Sequence, residues 1–154
     1  MSKLAADHAS SPQLKDLATR IEAAQQPEID QMSGYLRAWN SPVPNTNDSN
    51  MGEMNGMHPG DNQGGMGNMP GMNHGGPMPG MMSPAQMQQL DQAHSAAFDT
   101  MFLQMMISHH QGAITMSKTE LANGQNPDVR TLAQNIITAQ QREITEMQTM
   151  LNQR

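Results

Sequence analysis

Cysteine is absent from this 154-residue chain, and aromatic residues are scarce: it has two Phe, one Tyr and one Trp. Without thiols it has no disulfide to lose and no thiolate to oxidise, so its composition is compatible with an oxidising compartment. No run of Lys or Arg occurs and the formal net charge is -6, which argues against nucleic acids and anionic membranes as partners. Cations are the more natural ligands for such a chain.

A long apolar run is missing as well. No stretch approaches the roughly 20 apolar residues that span a bilayer, and the first residues lack the apolar core of a signal peptide. We therefore expect no insertion into a membrane, and an exported form would carry its signal outside this sequence. Methionine is unusually abundant, with 18 residues.

A Gly- and Asn-rich stretch divides the chain into three regions. Residues 41–82 hold 10 of the 13 glycines and no Lys or Arg. Such a stretch cannot bury enough apolar surface to offset the entropy of ordering it, so we interpret it as a flexible linker. The predicted organisation is a helical region at 1–40, the linker at 41–82 and a second helical region at 83–154.

Start and stop signals place two helices after the linker. Ser83-Pro84-Ala85-Gln86 has the form of a capping box that opens a long helix, which Gly124 ends. Asn126-Pro127 opens the last helix at once, so the two should form an antiparallel hairpin. The predicted buried stripes are Phe98, Phe102, Met105, His109, Gly112 and Met116 on one helix, and Val129, Leu132, Ile136, Gln140, Ile144, Met147 and Leu151 on the other.

One helix is predicted before the linker. Ser11-Pro12 opens it, it ends near Trp39 and Asn40, and Pro27 should kink it because proline removes a backbone donor. Its apolar stripe contains Leu14, Leu17, Ile21, Gln25, Ile29, Met32 and Leu36.

Residues 1–39 repeat residues 116–154. At a constant offset of 115, 14 of 39 positions are identical, which indicates two copies of one helical hairpin. Met1 then corresponds to Met116, so residues 1–9 are expected to be the remnant of a first long helix; a native start at Met1 with a shortened copy is the alternative. The helix from Pro12 needs a partner face, from the other hairpin or from a second chain in a homodimer.

The methionines of the linker recur every third residue. They form three groups: Met51, Met54 and Met57 with His58; Met66, Met69 and Met72 with His74; and Met78, Met81 and Met82. A thioether is a soft, neutral donor that suits Cu(I), and by the same softness Ag(I), far better than Mg²⁺, Ca²⁺ or Zn²⁺. The alternatives are a low-complexity tether or a sink for oxidants, because methionine sulfoxide forms reversibly.

Two adjacent histidines lie inside the predicted long helix. Met105 to His109 and Met106 to His110 are both i, i+4 pairs, so each imidazole has a thioether on its own face, and the two imidazoles diverge by about 100°. This arrangement predicts a soft-metal site. Gly112, costly inside a helix, indicates that another backbone or a ligand approaches closely there. The further predicted ligands are Met101, Met116, Asp99 and Met147, with Glu143 and Gln140 as partners that orient them; His8 and His94 are expected to be solvated surface residues.

The segments FDTMFLQMMISHHQGAITMS and LAQNIITAQQREITEMQTML resemble the domain-of-unknown-function 305 family. The likeness rests on Phe98-Asp99, Met105-Met106, His109-His110-Gln111, Ala113, Met116, Gln140, Glu143-Ile144 and Met147. It implies an all-α, ferritin-like antiparallel bundle, here with a truncated first helix, and extracytoplasmic copper binding linked to copper resistance. The chain departs from a complete two-copy pattern because it lacks a first His-His helix.

The leading hypothesis is a periplasmic or cell-surface copper buffer or metallochaperone that takes Cu(I), with Ag(I) as a mimic and Cu(II) at imidazole-rich sites, and hands it to a copper-handling acceptor protein. No catalysis is implied. A ferritin-like oxidase acting on bound metal is one alternative, although no Glu here is followed three positions later by His. A Met-rich interaction or oxidant-sink protein is the other.

Overall fold

The computed structural model describes residues 1–43 and 80–153, and over these ranges the chain is all-α, as predicted. The helices are α1 (Ala5–His8), α2 (Pro12–Ala38), α3 (Pro84–Gln92), α4 (Ser95–Asn123) and α5 (Pro127–Asn152), preceded by a 3-10 turn at Ser2–Leu4. No helix within the described ranges is both long and apolar enough to cross a bilayer. The ferritin-like arrangement stays a prediction.

Helices α4 and α5 form the predicted antiparallel hairpin. Near the turn, the Arg130 guanidinium donates to the Leu121 carbonyl, and farther from the turn His110 contacts Glu143. Residues earlier in α4 thus contact residues later in α5, as they do in antiparallel helices. Asn126 caps α5 by accepting from the backbone N–H of Val129 at 3.2 Å. Gly124 follows α4 as expected, but its φ of -71° is not the left-handed value of a helix-ending glycine.

The core lies where α4 and α5 meet α1, α3 and the first half of α2. Phe98, Phe102 and Leu103 of α4 are fully buried beside Leu90 of α3. Of the predicted α5 stripe, Leu132, Gln140, Ile144 and Met147 are buried, whereas Val129, Ile136 and Leu151 are only half-buried. On α4 the predicted stripe is wrong at its end, because Met116 is 49% exposed.

The long helix predicted from Pro84 to Gly124 is wrong in one respect, because it breaks at Ala93 and His94. The capping box of Ser83 and Gln86 is present, yet the helix ends at Gln92, and Ala93 and His94 are extended, with ψ of 146° and 161°. The break frees the Ala93 carbonyl, which lies 2.9 Å from His8 Nδ1. No Gly or Pro marks this position, so tertiary contact with the segment before α2 sets the break.

Asp99 ties the start of α2 to α4. Its buried carboxylate accepts hydrogen bonds from the Ser10 N–H at 3.1 Å, the Ser10 hydroxyl at 2.7 Å and the Ser11 N–H at 3.1 Å. Ser11 in turn caps α2 through the N–H of Leu14, as the sequence predicts. The bonds to Asp99 therefore fix where α2 begins on the α4–α5 hairpin.

Helix α2 is buried only over its first half. Leu14, Leu17 and Ile21 are fully buried, whereas Met32 is 42% exposed. The helix continues through Pro27 to Ala38, although proline removes one backbone donor there. The second half of α2 thus presents a partly exposed face.

Replacing Asp99 by Ala should lower the free energy of unfolding by about 2–3 kcal/mol, because three donors lose a buried, charged acceptor. Asp30→Ala is the matched control, since the exposed Asp30 accepts a hydrogen bond from the Gln26 side chain and from no other described residue; it should cost at most about 0.5 kcal/mol. Urea unfolding followed by circular dichroism measures both. Equal losses in the two variants would contradict this role of Asp99.

Candidate metal centre

His110 is fully buried at the interface of α4 and α5. Its Nε2 lies 2.7 Å from Glu143 Oε2, the contact the sequence predicts for Glu143. An ionised carboxylate only accepts, so Nε2 carries the hydrogen, and a neutral ring then keeps its lone pair on Nδ1. That Nδ1 is buried and has no hydrogen-bond partner among the described residues. A carboxylate that orients an imidazole in this way is typical of metal-binding histidines.

His109 is half-buried, one residue away on a different side of α4. Its Nδ1 is also buried and unpartnered within the described part of the chain. Burial lowers the pKa of His109 below its ordinary value, and the neighbouring imidazole of His110 lowers it further. The ring is therefore neutral at pH 7 and keeps a lone pair for a metal ion.

His109 lines a cleft of about 270 Å³ where α2, α4, α5 and the segment before α3 meet. The α4 residues follow the i, i+4, i+7, i+8 spacing of one helix face, so a single face of α4 forms one wall. The lining residues are Gln25, Glu28 and Met32 of α2, Gly80 and Met81, His109, Ala113, Met116 and Ser117 of α4, and Ile136 and Gln140 of α5. Backbone and side chains from four parts of the fold thus enclose one imidazole.

Three thioethers share this cleft with His109. They come from Met32 on α2, Met81 before α3 and Met116 on α4, and they are 42%, 40% and 49% exposed. Neutral sulfur and neutral imidazole are the donors that a soft monovalent ion prefers. The cleft therefore offers one nitrogen and up to three sulfur ligands beside a surface opening.

Two polar groups in the cleft are buried at a cost. The Gln140 Oε1 has no hydrogen-bond partner among the described residues. Burial raises the pKa of Glu28, and the negative charge of Glu143 raises it further, while a protonated His110 would oppose this. Glu28 of α2 therefore lies within electrostatic range of Glu143 and His110. Among residues 1–43 and 80–153, no group of three or more His, Asp or Glu side chains is placed to hold a metal ion.

Sequence reasoning missed Glu28 and Met32 as members of the site, although the internal repeat contains the signal. At the offset of 115, Gln25, Glu28 and Met32 correspond to Gln140, Glu143 and Met147. Of these residues, Gln25, Glu28, Met32 and Gln140 line the cleft with His109 and Glu143 contacts His110, whereas Met147 is buried in the core. Glu28 and Met32 could therefore have been added to the predicted site from this correspondence.

The other predicted ligands of α4 and α5 lie away from the cleft. Met105, Met106 and Met147 are buried in the hydrophobic core, and Met101 and Met82 pack against it. Asp99 is eleven residues before His110, which is roughly 16 Å along a helix, and its carboxylate caps Ser10 and Ser11. The structure therefore does not bring Asp99 to the histidines.

The remaining predicted ligands belong to the linker. Met51, Met54, Met57, His58, Met66, Met69, Met72, His74 and Met78 lie outside the described residues. Of the linker, only residues 41–43 and 80–82 are described.

The prediction that His8 is solvated is wrong. We predicted that His8 and His94 are both solvated, and His94 is exposed, but His8 is half-buried. Its ring stacks on that of His94 with centroids 4.4 Å apart, and its Nδ1 lies within hydrogen-bond distance of the Ala93 carbonyl. The sequence around His8 gives no sign of this, because the contact depends on the break between α3 and α4.

The model of one family, the domain of unknown function DUF305, matches residues 1–151. The chain belongs to this family. A short segment is also 45% identical, over 56 residues, to the uncharacterised protein L153 of Acanthamoeba polyphaga mimivirus. That match covers 36% of this chain and only 37% of the viral protein.

Solved structures share the fold. A Streptomyces coelicolor DUF305 protein inferred to be secreted is 22% identical, with a TM-score of 0.74 over 99% of this chain and 81% of that one. Two structures of the protein CopM, in its Cu(II)-bound and Cu(I)-bound forms, are 27% and 25% identical, with TM-scores of 0.69 and 0.67. They cover 99% of this chain and 84% and 83% of the CopM chains.

Replacing Glu143 by Ala should lower the free energy of unfolding by about 1–3 kcal/mol, because the buried His110 Nε2 loses its partner. Glu146→Ala is the matched control: Glu146 pairs with Arg20 of α2 at the surface, where such pairs contribute at most about 1 kcal/mol. Chemical unfolding at pH 7 compares them. If Glu146→Ala lowers the free energy of unfolding as much as Glu143→Ala does, the burial of His110 is not the cause of the loss.

Proposed function

We propose that this protein binds Cu(I) in the cleft that His109 shares with Met32, Met81 and Met116, and that it acts as an extracytoplasmic copper buffer or metallochaperone. The observation that carries the proposal is the convergence of three partly exposed thioethers on one imidazole with a buried, unpartnered Nδ1. The thioethers come from segments far apart in sequence. A methionine that only fills the core has no reason to lie in an open cleft.

The donor set favours Cu(I) over other biological ions. Thioethers do not titrate and hold no charge, so they bind a polarisable monovalent ion and offer little to Mg²⁺, Ca²⁺ or Zn²⁺. Ag(I) should bind as a mimic for the same reason. Cu(II) needs harder donors, and in this proposal the imidazoles supply them. CopM, whose chain has the same fold, is known in Cu(I)-bound and Cu(II)-bound forms, which supports copper as the ion.

The exposure of the thioethers favours exchange over permanent storage. With 40–49% of the surface of each of these methionine residues accessible, an acceptor protein can offer its own ligands before the ion has left the cleft. The absence of thiols from the sequence and the inferred secretion of the Streptomyces relative support an extracytoplasmic role. In this proposal copper is cargo, and no reaction is catalysed on it.

Competition with a coloured Cu(I) chelator under anaerobic conditions tests the site. The reference is the full chain with seven of the nine linker methionines changed to Leu, namely Met51, Met54, Met57, Met66, Met69, Met72 and Met78. Met81 stays because it lines the cleft, and Met82 stays because it packs against the core. Adding His109→Ala and Met116→Leu to this reference should weaken Cu(I) binding by about 100-fold, on the order of tenfold for each lost ligand.

Met150→Leu in the same reference is the matched control. Met150 packs against the core but does not line the cleft, so its loss should leave Cu(I) affinity unchanged. Circular dichroism checks that every variant stays helical. If the variant without His109 and Met116 binds Cu(I) as tightly as the control, the cleft is not the copper site.

The resistance role makes a separate prediction in cells. A copper-sensitive bacterium that exports the full chain to its periplasm should tolerate more copper, because the protein lowers the free concentration of the ion. A chain lacking the linker methionines, His109 and Met116 should give no protection at equal protein level. Growth against copper concentration measures both, and equal protection by the two would exclude a role for these ligands.

A further inference from the structure

We propose that Gly80 is a positioning residue that holds the Met81 thioether at the cleft before any ion arrives. It does so by backbone contact with α4, between Ser108 and Gly112. This inference rests on the proposed function, because Met81 is one of the four residues proposed there to bind Cu(I).

The contact at Gly80 admits no side chain. A Cβ built on Gly80 would lie 2.6 Å from the Ser108 carbonyl oxygen, 2.9 Å from Gly112 Cα and 3.0 Å from the His109 carbonyl oxygen. All three are backbone atoms of a helix, so none can move aside as a side chain would. The φ of Gly80 is +81°, a conformation that L side chains rarely adopt. Both its space and its conformation therefore require glycine.

The opposite side of the contact is also a glycine. Gly112 is buried in the middle of α4, where glycine costs roughly 1 kcal/mol relative to alanine. Its Cα is one of the three atoms nearest the Gly80 position. The close backbone approach that the sequence predicts at Gly112 is thus made by the chain segment leading into α3.

The contact at Gly80 also fixes the backbone position of the next residue, Met81. Met81 follows the fixed Gly80 directly and lines the same cleft as His109. Binding through a free segment would have to order that segment, at about 1–2 kcal/mol for each residue fixed. The contact with α4 orders the backbone during folding, so the ion meets a thioether already in place.

A double-mutant cycle tests the proposal in the full chain with the seven linker methionines changed to Leu. Met81→Leu and Gly80→Ala should each weaken Cu(I) binding by about tenfold, and the two together no more than either alone, because both remove the same ligand. X-ray absorption of the Cu(I) form should show one sulfur ligand fewer in each variant. Additive losses, or wild-type affinity in Gly80→Ala, would overturn the proposal.

Gly34→Ala is the matched control. Gly34 lies in α2, and no atom is within 4 Å of the point where a Cβ on this residue would lie, so alanine there should leave Cu(I) affinity unchanged. It should also raise the free energy of unfolding, because alanine has a higher helix propensity than glycine. A loss of affinity in Gly34→Ala as large as in Gly80→Ala would show that the effect is not specific to the contact with α4.

A metal-free measurement separates this proposal from the proposed function. Dilute hydrogen peroxide converts a thioether to its sulfoxide and water, at a rate that follows exposure. If Gly80→Ala releases the segment, Met81 should oxidise up to about 2.5-fold faster, the ratio of full exposure to its present 40%, while Met116 in the same sample does not change. Faster Met81 oxidation without Cu(I) binding in any variant would retain the positioning role and reject copper; unchanged oxidation would reject the positioning role itself.

Discussion

The hydrogen bond between His110 and Glu143 is the interaction on which the arrangement of the site depends. Both groups are expensive to bury alone, and together they satisfy one nitrogen and one carboxylate oxygen between α4 and α5. An apolar interface tolerates a shift of one helix along the other, whereas a paired polar group does not. The pair therefore fixes the register of the hairpin. It thereby sets the position along the helix axes at which His109 and Met116 face Gln140.

A second polar contact, made by Asp99, positions α2 on the hairpin of α4 and α5. Asp99 accepts from the two residues that precede α2, so the start of α2 is set by α4 itself. From that fixed start α2 runs past the hairpin, and its buried first half ends near Ile21. Beyond this point the helix carries Glu28 and Met32 to the cleft. The buried carboxylate of Asp99 and the partly buried carboxylate of Glu143, neither of which lines the cleft, thus determine which residues can surround His109.

Much of this fold follows from local signals. Each predicted start, at Ser11, Ser83 and Asn126, is a side-chain cap in the structure. The hairpin and the contact of Glu143 with an imidazole followed from spacing alone. The break at Ala93 could not be predicted, because a helix-compatible sequence is interrupted there by a contact 85 residues away along the chain. For the same reason i, i+4 logic grouped Met105 and Met106 with the histidines, while the structure buries both in the core.

The adjacent histidines have different environments because a helix turns by about 100° for each residue. One step places His110 in the core, where a carboxylate holds it, and leaves His109 at the edge of the core beside exposed sulfur. A ligand pair on one face would enclose an ion deeply and release it slowly. Placing the rings on neighbouring faces makes His110 part of the rigid frame and leaves His109 in the wall of the cleft. The same helix thus anchors the fold through one imidazole and presents the next beside exposed methionines, which is the arrangement that the proposed exchange of copper requires.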